Sequence, residues 1–488
     1  MDTMGKLLII FTFSLCLCFL VALLYVFYKY WWIPYRIQEA FIKPMALTHA
    51  IFPRVMPHVY SWINKYGKSY LSWNGVRPQL VITDPEIVKE VLRNSEKAFP
   101  KGKPTNFFEK MLDKMTILGD GLVTTESEKW ARQRKLANYA FHGKSLKNMI
   151  PAVVVSVETM LEKWKGREGK EMEVFQEFTL LTSEVISRTA FSSSYLEGEK
   201  IFDFRNVFKT RLPIISRFWK SSDEIESDKL AKMIYDSVMK IVKKREEKVV
   251  TGEADSFGND FLGLLVNAYH DLDENNKLSI QDLVDECKTF YFAGQETTNS
   301  LLAWTILLLA VHTDWQEKAR REVIEIIGKG NPNSEGIAKL KTITMIINET
   351  LRLYPPATGT IRKVEREVRL GKLVLPTDLE VNIRIMALHH DPDLWGDDVH
   401  LFKPERFAEG ISKATNYNAA AFFPFGLGPR SCVGMSFAIT ETKIALSMIL
   451  QRYTFTLSPT YVHSPLPLIT LKPQHGIQLL FHSLHHDA

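Results

Sequence analysis

Residues 424–434 read Pro-Phe-Gly-Leu-Gly-Pro-Arg-Ser-Cys-Val-Gly, a loop in which Cys432 is framed by glycines and followed from Met435 by a helical pattern. A cysteine thiolate that ligates iron in a flat macrocycle needs those features together. Gly428 and Gly434 allow the backbone to approach a planar group. Backbone N–H groups and the start of the next helix lower the thiolate pKa and tune its donation. Arg430 supplies a cation for a carboxylate of the macrocycle, and Phe425 packs under the ring and shields the sulfur from water. The bland alternative is a structural cysteine in a glycine-rich turn, and Cys432 by itself would favour it. The whole pattern Phe-x-x-Gly-x-Arg-x-Cys-x-Gly reverses that judgement, because chance produces it on the order of once in ten million start positions at average residue frequencies. Nor is the stretch a dinucleotide fingerprint: Gly426-Leu-Gly428 has Ser431 where a third glycine would stand.

The chain has 488 residues, 45% of them hydrophobic and 24% charged, as in ordinary globular proteins. A net charge of +5 is too mild and too dispersed for a nucleic-acid partner. It suits an anionic membrane surface or an acidic protein, and equally a solvated face. Cys16 and Cys18 lie in an apolar N-terminal stretch while Cys287 and Cys432 stand alone, so neither a disulfide framework nor zinc spacing is visible. That usage favours a reducing compartment for the main body.

No charged residue occurs from Leu7 to Tyr28, which is enough helix to cross a hydrocarbon core of roughly 30 Å at about 1.5 Å per residue. Tyr25, Tyr28, Tyr30, Trp31 and Trp32 crowd its C-terminal end, as interfacial aromatics do. A cleaved signal peptide is usually shorter and ends in small residues, whereas this stretch runs into Lys29-Tyr-Trp-Trp-Ile-Pro. The expectation is a retained transmembrane anchor over residues 1–29 and one catalytic body over 30–488. Lys29, Arg36 and Lys43 follow the span while Asp2 and Lys6 nearly cancel before it, which places the body in the cytosol.

Helical periodicity dominates the body, over about 151–193, 227–251, 280–311, 314–327 and 339–353. Strand-like pieces are short: Leu80–Thr83, Val368–Leu375, Tyr453–Leu457 and Ile477–Phe481. The fold class read from this is mainly α with a small β portion. The His-rich tail (His482, His485, His486) reads as a polar terminus.

The 424–434 loop resembles the heme-binding signature of the cytochrome P450 superfamily, and other segments match that family. Ala293-Gly-Gln-Glu-Thr297-Thr resembles its oxygen-activation segment. Gly294 inside a helix costs about 1 kcal/mol relative to alanine, which asks for a reason; a small residue would let oxygen and substrate approach. Ala293 and Thr297 are i and i+4 on one face. The Thr297 hydroxyl can bond back to the Ala293 carbonyl or donate to bound dioxygen, and the resemblance gives Glu296 a proton-relay role. Glu349-x-x-Arg352, ended by Pro355 and Pro356, and Pro404-Glu-Arg406-Phe resemble the family's buried charged triad, a structural support for the cysteine loop. Glu317-x-x-Arg320 fits the same short pattern but lacks the prolines. Trp130-x-x-x-Arg134 resembles the heme-propionate helix, and Arg362 occupies the place of a further propionate cation.

The resemblance implies a cytochrome P450 fold carrying heme b, its iron ligated by Cys432, with the cofactor also touched by Arg430, Phe425, Gly434, Trp130, Arg134, Arg362 and Ala293. It implies monooxygenation of a small apolar substrate (a hormone, terpenoid or foreign compound) with one atom of O2, Thr297 and Glu296 being catalytic. The chain has no flavin or nicotinamide motif, so NADPH electrons come through a separate NADPH-cytochrome reductase, to which Arg132, Lys135, Lys144 and Lys147 offer a basic face. Phe107, Phe108, Phe292, Ala357, Thr360 and Ser464 would line the pocket. The implied location is the endoplasmic reticulum membrane, single-pass. Phrases such as Trp32-Ile-Pro-Tyr-Arg-Ile-Gln-Glu and Thr470-Leu-Lys-Pro-Gln-His-Gly resemble a plant clan that oxidises cytokinins, gibberellins and brassinosteroids. Against that clan the segment Arg36–Pro53 is short, as though a first strand or helix region were deleted. Two other readings keep the heme: an isomerase or dehydratase needing no external O2, and a catalytically silent membrane heme protein. Members of the first kind tend to lose the threonine retained here as Thr297.

Overall fold

A computed structural model describes residues 14, 17–25, 44–74, 77–94, 96–101, 119–194, 222–273 and 276–484. The elements that build the site are, in chain order, α1 (Pro57–Tyr66), β1 (Ser69–Asn74), β2 (Arg77–Ile82), α2 (Ser127–Ala140), α3 (Lys144–Trp164), β3 (Glu171–Glu173), α4 (Val174–Phe191), α5 (Ile280–Val311), α6 (Thr313–Ile326), α7 (Lys341–Leu353), β4 (Thr360–Lys363), β5 (Glu380–Ile383), α8 (Met435–Arg452), β6 (Tyr453–Leu457), β7 (Leu471–Pro473) and β8 (Gln478–Ser483).

Helix α5 is the axis. A reciprocal capping box between Ser279 and Asp282 starts it, and its apolar residues run around the whole circumference rather than along one stripe, the pattern of a helix enclosed by others. It packs along α4, α7 and α8. Every residue from Leu283 to Ala310 is buried except Ala293, Gly294, Glu296 and Thr297, which are half-exposed. Gly294 packs against α4: a Cβ there would stand 2.8 Å from Ile186 Cδ1. Close helix contact is therefore one thing the glycine serves. Overpacking costs about 1–3 kcal/mol and the helix-propensity gain of alanine returns about 1 kcal/mol, so Gly294→Ala should lower stability by about 1 kcal/mol. In an Ile186→Val background the penalty should shrink, as read from thermal unfolding. A glycine kept only for access would instead give a more stable alanine variant.

The β portion is split. One mixed sheet runs β1-β2-β5-β4, with β2 parallel to β5 and the other pairs antiparallel. A second, antiparallel sheet runs β3-β8-β6. The helical stretch expected over 151–193 is two helices, because Gly166 and Gly169 adopt φ of +75° and +72° between α3 and β3. The strand expected over Val368–Leu375 is a tight hairpin that turns at Gly371, φ +58°. Strands β1, β4 and β5, absent from the sequence reading, build the sheet that carries Arg362.

The short segment after the apolar stretch is partly described, and that part folds onto the body. Ile51, Phe52, Val55, Met56 and Val59 are buried in the main core, the Met45 N–H donates to the His463 carbonyl at 3.0 Å, and His49 Nδ1 pairs with Tyr354 Oη at 2.9 Å. Among the described residues no helix is long and apolar enough to cross a membrane. Most of the stretch expected to span one lies outside them; its described residues, 14 and 17–25, are helical and exposed.

Candidate active site

The cysteine loop is closed by its own backbone. The Cys432 N–H donates to the Phe425 carbonyl at 2.7 Å, and the Ser431 N–H to the Gly428 carbonyl at 3.1 Å. Gly426 and Gly428 take φ of +77° and +78°, the left-handed region that favours glycine. Gly428 has a second reason: a Cβ there would sit 2.3 Å from the Leu92 carbonyl oxygen. Gly434 needs no special freedom. Its φ is −91° as the N-cap of α8, and a Cβ there would meet Cys432 Sγ at an ordinary 4.0 Å. The sequence reading assigned the backbone freedom to Gly428 and Gly434; the loop places it at Gly426 and Gly428. Phe425 is half-buried against the main core.

Cys432 is accessible on one side, where it borders a groove of about 870 Å³ together with Arg134, Lys135, His142, Lys144 and Met435. On its other sides protein replaces water. Burial accordingly raises its thiol pKa, opposed by the Gly434 backbone hydrogen bond and the charge of Arg134. The Gly434 backbone hydrogen bond acts in the expected direction, and for the protein alone desolvation of a thiolate is the larger effect. A bound metal ion would deprotonate the thiol outright.

Three arginines converge around the loop. Arg134 of α2 donates through Nη1 to the Ser431 carbonyl at 2.6 Å and through Nε to Asn138 Oδ1 at 3.0 Å, so it grips the cysteine loop. Burial lowers its pKa, with the Cys432 charge opposing. Arg430 donates to Glu96 Oε1 and to the Thr125 carbonyl, both at 2.7 Å, and stacks 4.1 Å from the centre of the Trp130 ring. Trp130 thus supports the Arg430 cation. Arg362 projects from β4 and donates only locally, to Thr360 Oγ1 at 2.8 Å and to the Ile361 carbonyl at 2.9 Å. Its pKa is pushed down to about 10 by burial and then by the charge of Arg430. Among the described residues, Arg362 Nε and Arg430 Nη2 are buried without a hydrogen-bond partner. Arg430 has one carboxylate partner in Glu96, but the idle donors on the two neighbouring buried cations suit further anionic oxygens, which the carboxylates of a heme supply. The residues present therefore fit heme b.

Across from this, Thr297 Oγ1 donates to the Ala293 carbonyl at 2.6 Å, the back-bonded alternative of the two considered above. Glu296 is not turned toward Thr297. It accepts from Thr470 Oγ1 at 2.8 Å and lies 3.6 Å from Lys472 Nζ. Of the expected pocket residues, Phe292 is buried, Ala357 exposed and Thr360 half-buried. Ser464 is buried with its hydroxyl on Gln474 Oε1 at 2.7 Å, and Phe107 and Phe108 lie outside the described residues.

The charged triad forms as expected. Arg352 makes a two-pronged pair with Glu349, 2.8 Å on each side, and donates to the carbonyls of His389 (3.0 Å) and Leu401 (3.3 Å). Arg406 Nε stands 3.5 Å from Glu349, while its Nη atoms hold Asp398 and the Trp395 carbonyl. The sequence reading missed Glu96, Gly426, Thr470 and Lys472. Gly426 had a local signal, a second glycine in the same turn, whereas the other three act on partners 174 to 334 positions away.

Comparison with known proteins agrees with this geometry. A family model described as Cytochrome P450 matches residues 52–481. The chain is similar to Cytochrome P450 CYP749A22 of Panax ginseng, with 53% identity over 96% of each chain. It is also similar to the 11-oxo-beta-amyrin 30-oxidases of Glycyrrhiza uralensis (43% identity over 92% of this chain and 87% of that one) and Medicago truncatula (40%, 92% and 86%). Among solved structures, that titled retinoic acid bound cyanobacterial CYP120A1 shares the fold at 24% identity, with a TM-score of 0.76 over 89% of this chain and 96% of that one. The cysteine loop, its arginine cradle and these likenesses together establish that the chain belongs to the cytochrome P450 family, as a monooxygenase of the plant type.

Proposed function

We propose that this monooxygenase hydroxylates a large apolar substrate of the terpenoid class, using O2 and electrons passed from NADPH by a separate reductase. The observation that carries the heme assignment is the pair of buried, partnerless donors on Arg362 and Arg430 beside the Cys432 loop. Cys432 would ligate the iron, and Arg134, Arg362 and Arg430 would hold the cofactor's carboxylates. Heme b, when bound, supplies the dioxygen chemistry that places one oxygen atom in the substrate. The chain's own part is to orient and to manage protons. Thr297 holds its proton on the Ala293 carbonyl until a better acceptor arrives. The terpenoid class is supported by the two relatives titled 11-oxo-beta-amyrin 30-oxidase.

The groove bordered by Arg134, Lys135 and Lys144 presents cations to the outside next to Cys432, which suits an acidic reductase surface. The uncharged stretch Leu7–Tyr28, with exposed Leu17, Phe19 and Leu20, supports a single-pass anchor. It would place the enzyme on the endoplasmic reticulum with its body in the cytosol. Microsomes carrying this protein and a plant reductase should convert a pentacyclic triterpenoid to a product holding one atom from ¹⁸O2, and only with NADPH present. Turnover without NADPH would instead establish the isomerase or dehydratase reading.

A further inference from the structure

Glu296, Ser300 and Trp304 recur every four residues along α5, so they form one stripe, and that stripe meets a single short piece of chain. Ser300 Oγ (2.6 Å) and Trp304 Nε1 (2.8 Å) both donate to the Leu471 carbonyl. The Leu471 N–H is itself used on the Pro356 carbonyl at 3.0 Å. These bonds fasten β7 to the helix and leave the residues on either side of Leu471 to take Glu296. Thr470 Oγ1 donates to Glu296 Oε1 at 2.8 Å, and Lys472 Nζ stands 3.6 Å from the same oxygen. Thr470 is only 4% exposed, so water does not compete for its bond. Thr297, one residue on, lies about 100° around the helix with its hydroxyl on Ala293. The acid and the alcohol of one segment are thus held by different partners on different faces.

We propose that Thr470 and Lys472 are positioning residues for Glu296, holding its carboxylate on the β7 side, where the Lys472 side chain opens to solvent. The inference rests on the monooxygenase reading. The Lys472 side chain is 24% open to solvent, so the held carboxylate stands between water and the Thr297 side of the helix. A proton taken up from solvent water passes over the Glu296 carboxylate toward that side and leaves the carboxylate as it began. Lys472 keeps its charge throughout and acts only by holding Glu296 in place.

The test uses the heme-loaded enzyme with its reductase and follows how NADPH electrons divide between product and hydrogen peroxide. Lys472→Met should lower the product share several-fold at unchanged heme content and substrate affinity, Thr470→Val should act in the same direction, and Lys472→Arg should restore most of the loss. Because Lys472 acts through Glu296, Lys472→Met should add nothing in a Glu296→Gln background. A thermal-unfolding cycle on the same four proteins, which needs no turnover, should show a smaller Lys472→Met penalty once Glu296 is glutamine. An unchanged product share in Lys472→Met, or an equal further loss in the Glu296→Gln background, would overturn the proposal. Wild-type enzyme that makes no NADPH-dependent product would bring down the monooxygenase reading, and this inference with it.

Discussion

Arg352→Ala should yield a protein that recovers little heme and unfolds with about 3–5 kcal/mol less stability, the usual cost of stranding one member of a buried ion pair. Arg352 and Glu349 are both 0% exposed. Removing the guanidinium takes two 2.8 Å bonds from Glu349 and leaves its carboxylate the Lys403 N–H at 3.0 Å and the more distant Arg406. The carbonyls of His389 and Leu401 lose donors at the same time. His389 is the route from the triad to the loop: its Nε2 receives the Phe423 N–H at 3.3 Å, and the Gly426 N–H in turn bonds the Phe423 carbonyl at 2.9 Å. The damage therefore reaches the cysteine loop without any contact between Arg352 and the cofactor. Arg352→Lys should rescue little, because an ammonium cannot reproduce a fork that serves a carboxylate and two carbonyls together. Heme recovery per protein and the unfolding midpoint check both variants. An Arg352→Lys enzyme with full heme content would show that charge alone, not the fork, sustains the triad.

What was legible in the sequence was what is encoded locally. The cysteine loop announces itself because its glycines, arginine and cysteine lie within a few residues, and Glu349 with Arg352 are one helical turn apart. Helix α5 is legible over 280–311 because helical periodicity sustained over so many residues has few alternatives. The strands fared worse. β4 and β5 have four residues each, too short to show a period; β5 depends on pairing with β2 some 300 positions away, and β4 in turn on pairing with β5. Glu296 shows the same limit at the site. Its helix and its neighbour Thr297 were readable, but its partners lie on β7 and beside it, so the direction of its carboxylate was not. The cost of Gly294 is legible from its place inside a helix, whereas its contact with Ile186 on another helix is not.

The central claim is that Cys432, and no other group, is the axial ligand of a heme held at this loop. Cys287, the other cysteine of the body, is enclosed in α5 and burial raises its thiol pKa, so it cannot stand in. The direct test is the carbon-monoxide difference spectrum of the reduced protein in microsomes, wild type beside Cys432→Ser. The wild type should show a thiolate-type Soret band, and Cys432→Ser should lose it completely. A histidine-type band in the wild type, or a thiolate-type band that survives in Cys432→Ser, would contradict the assignment of Cys432 as the iron's ligand.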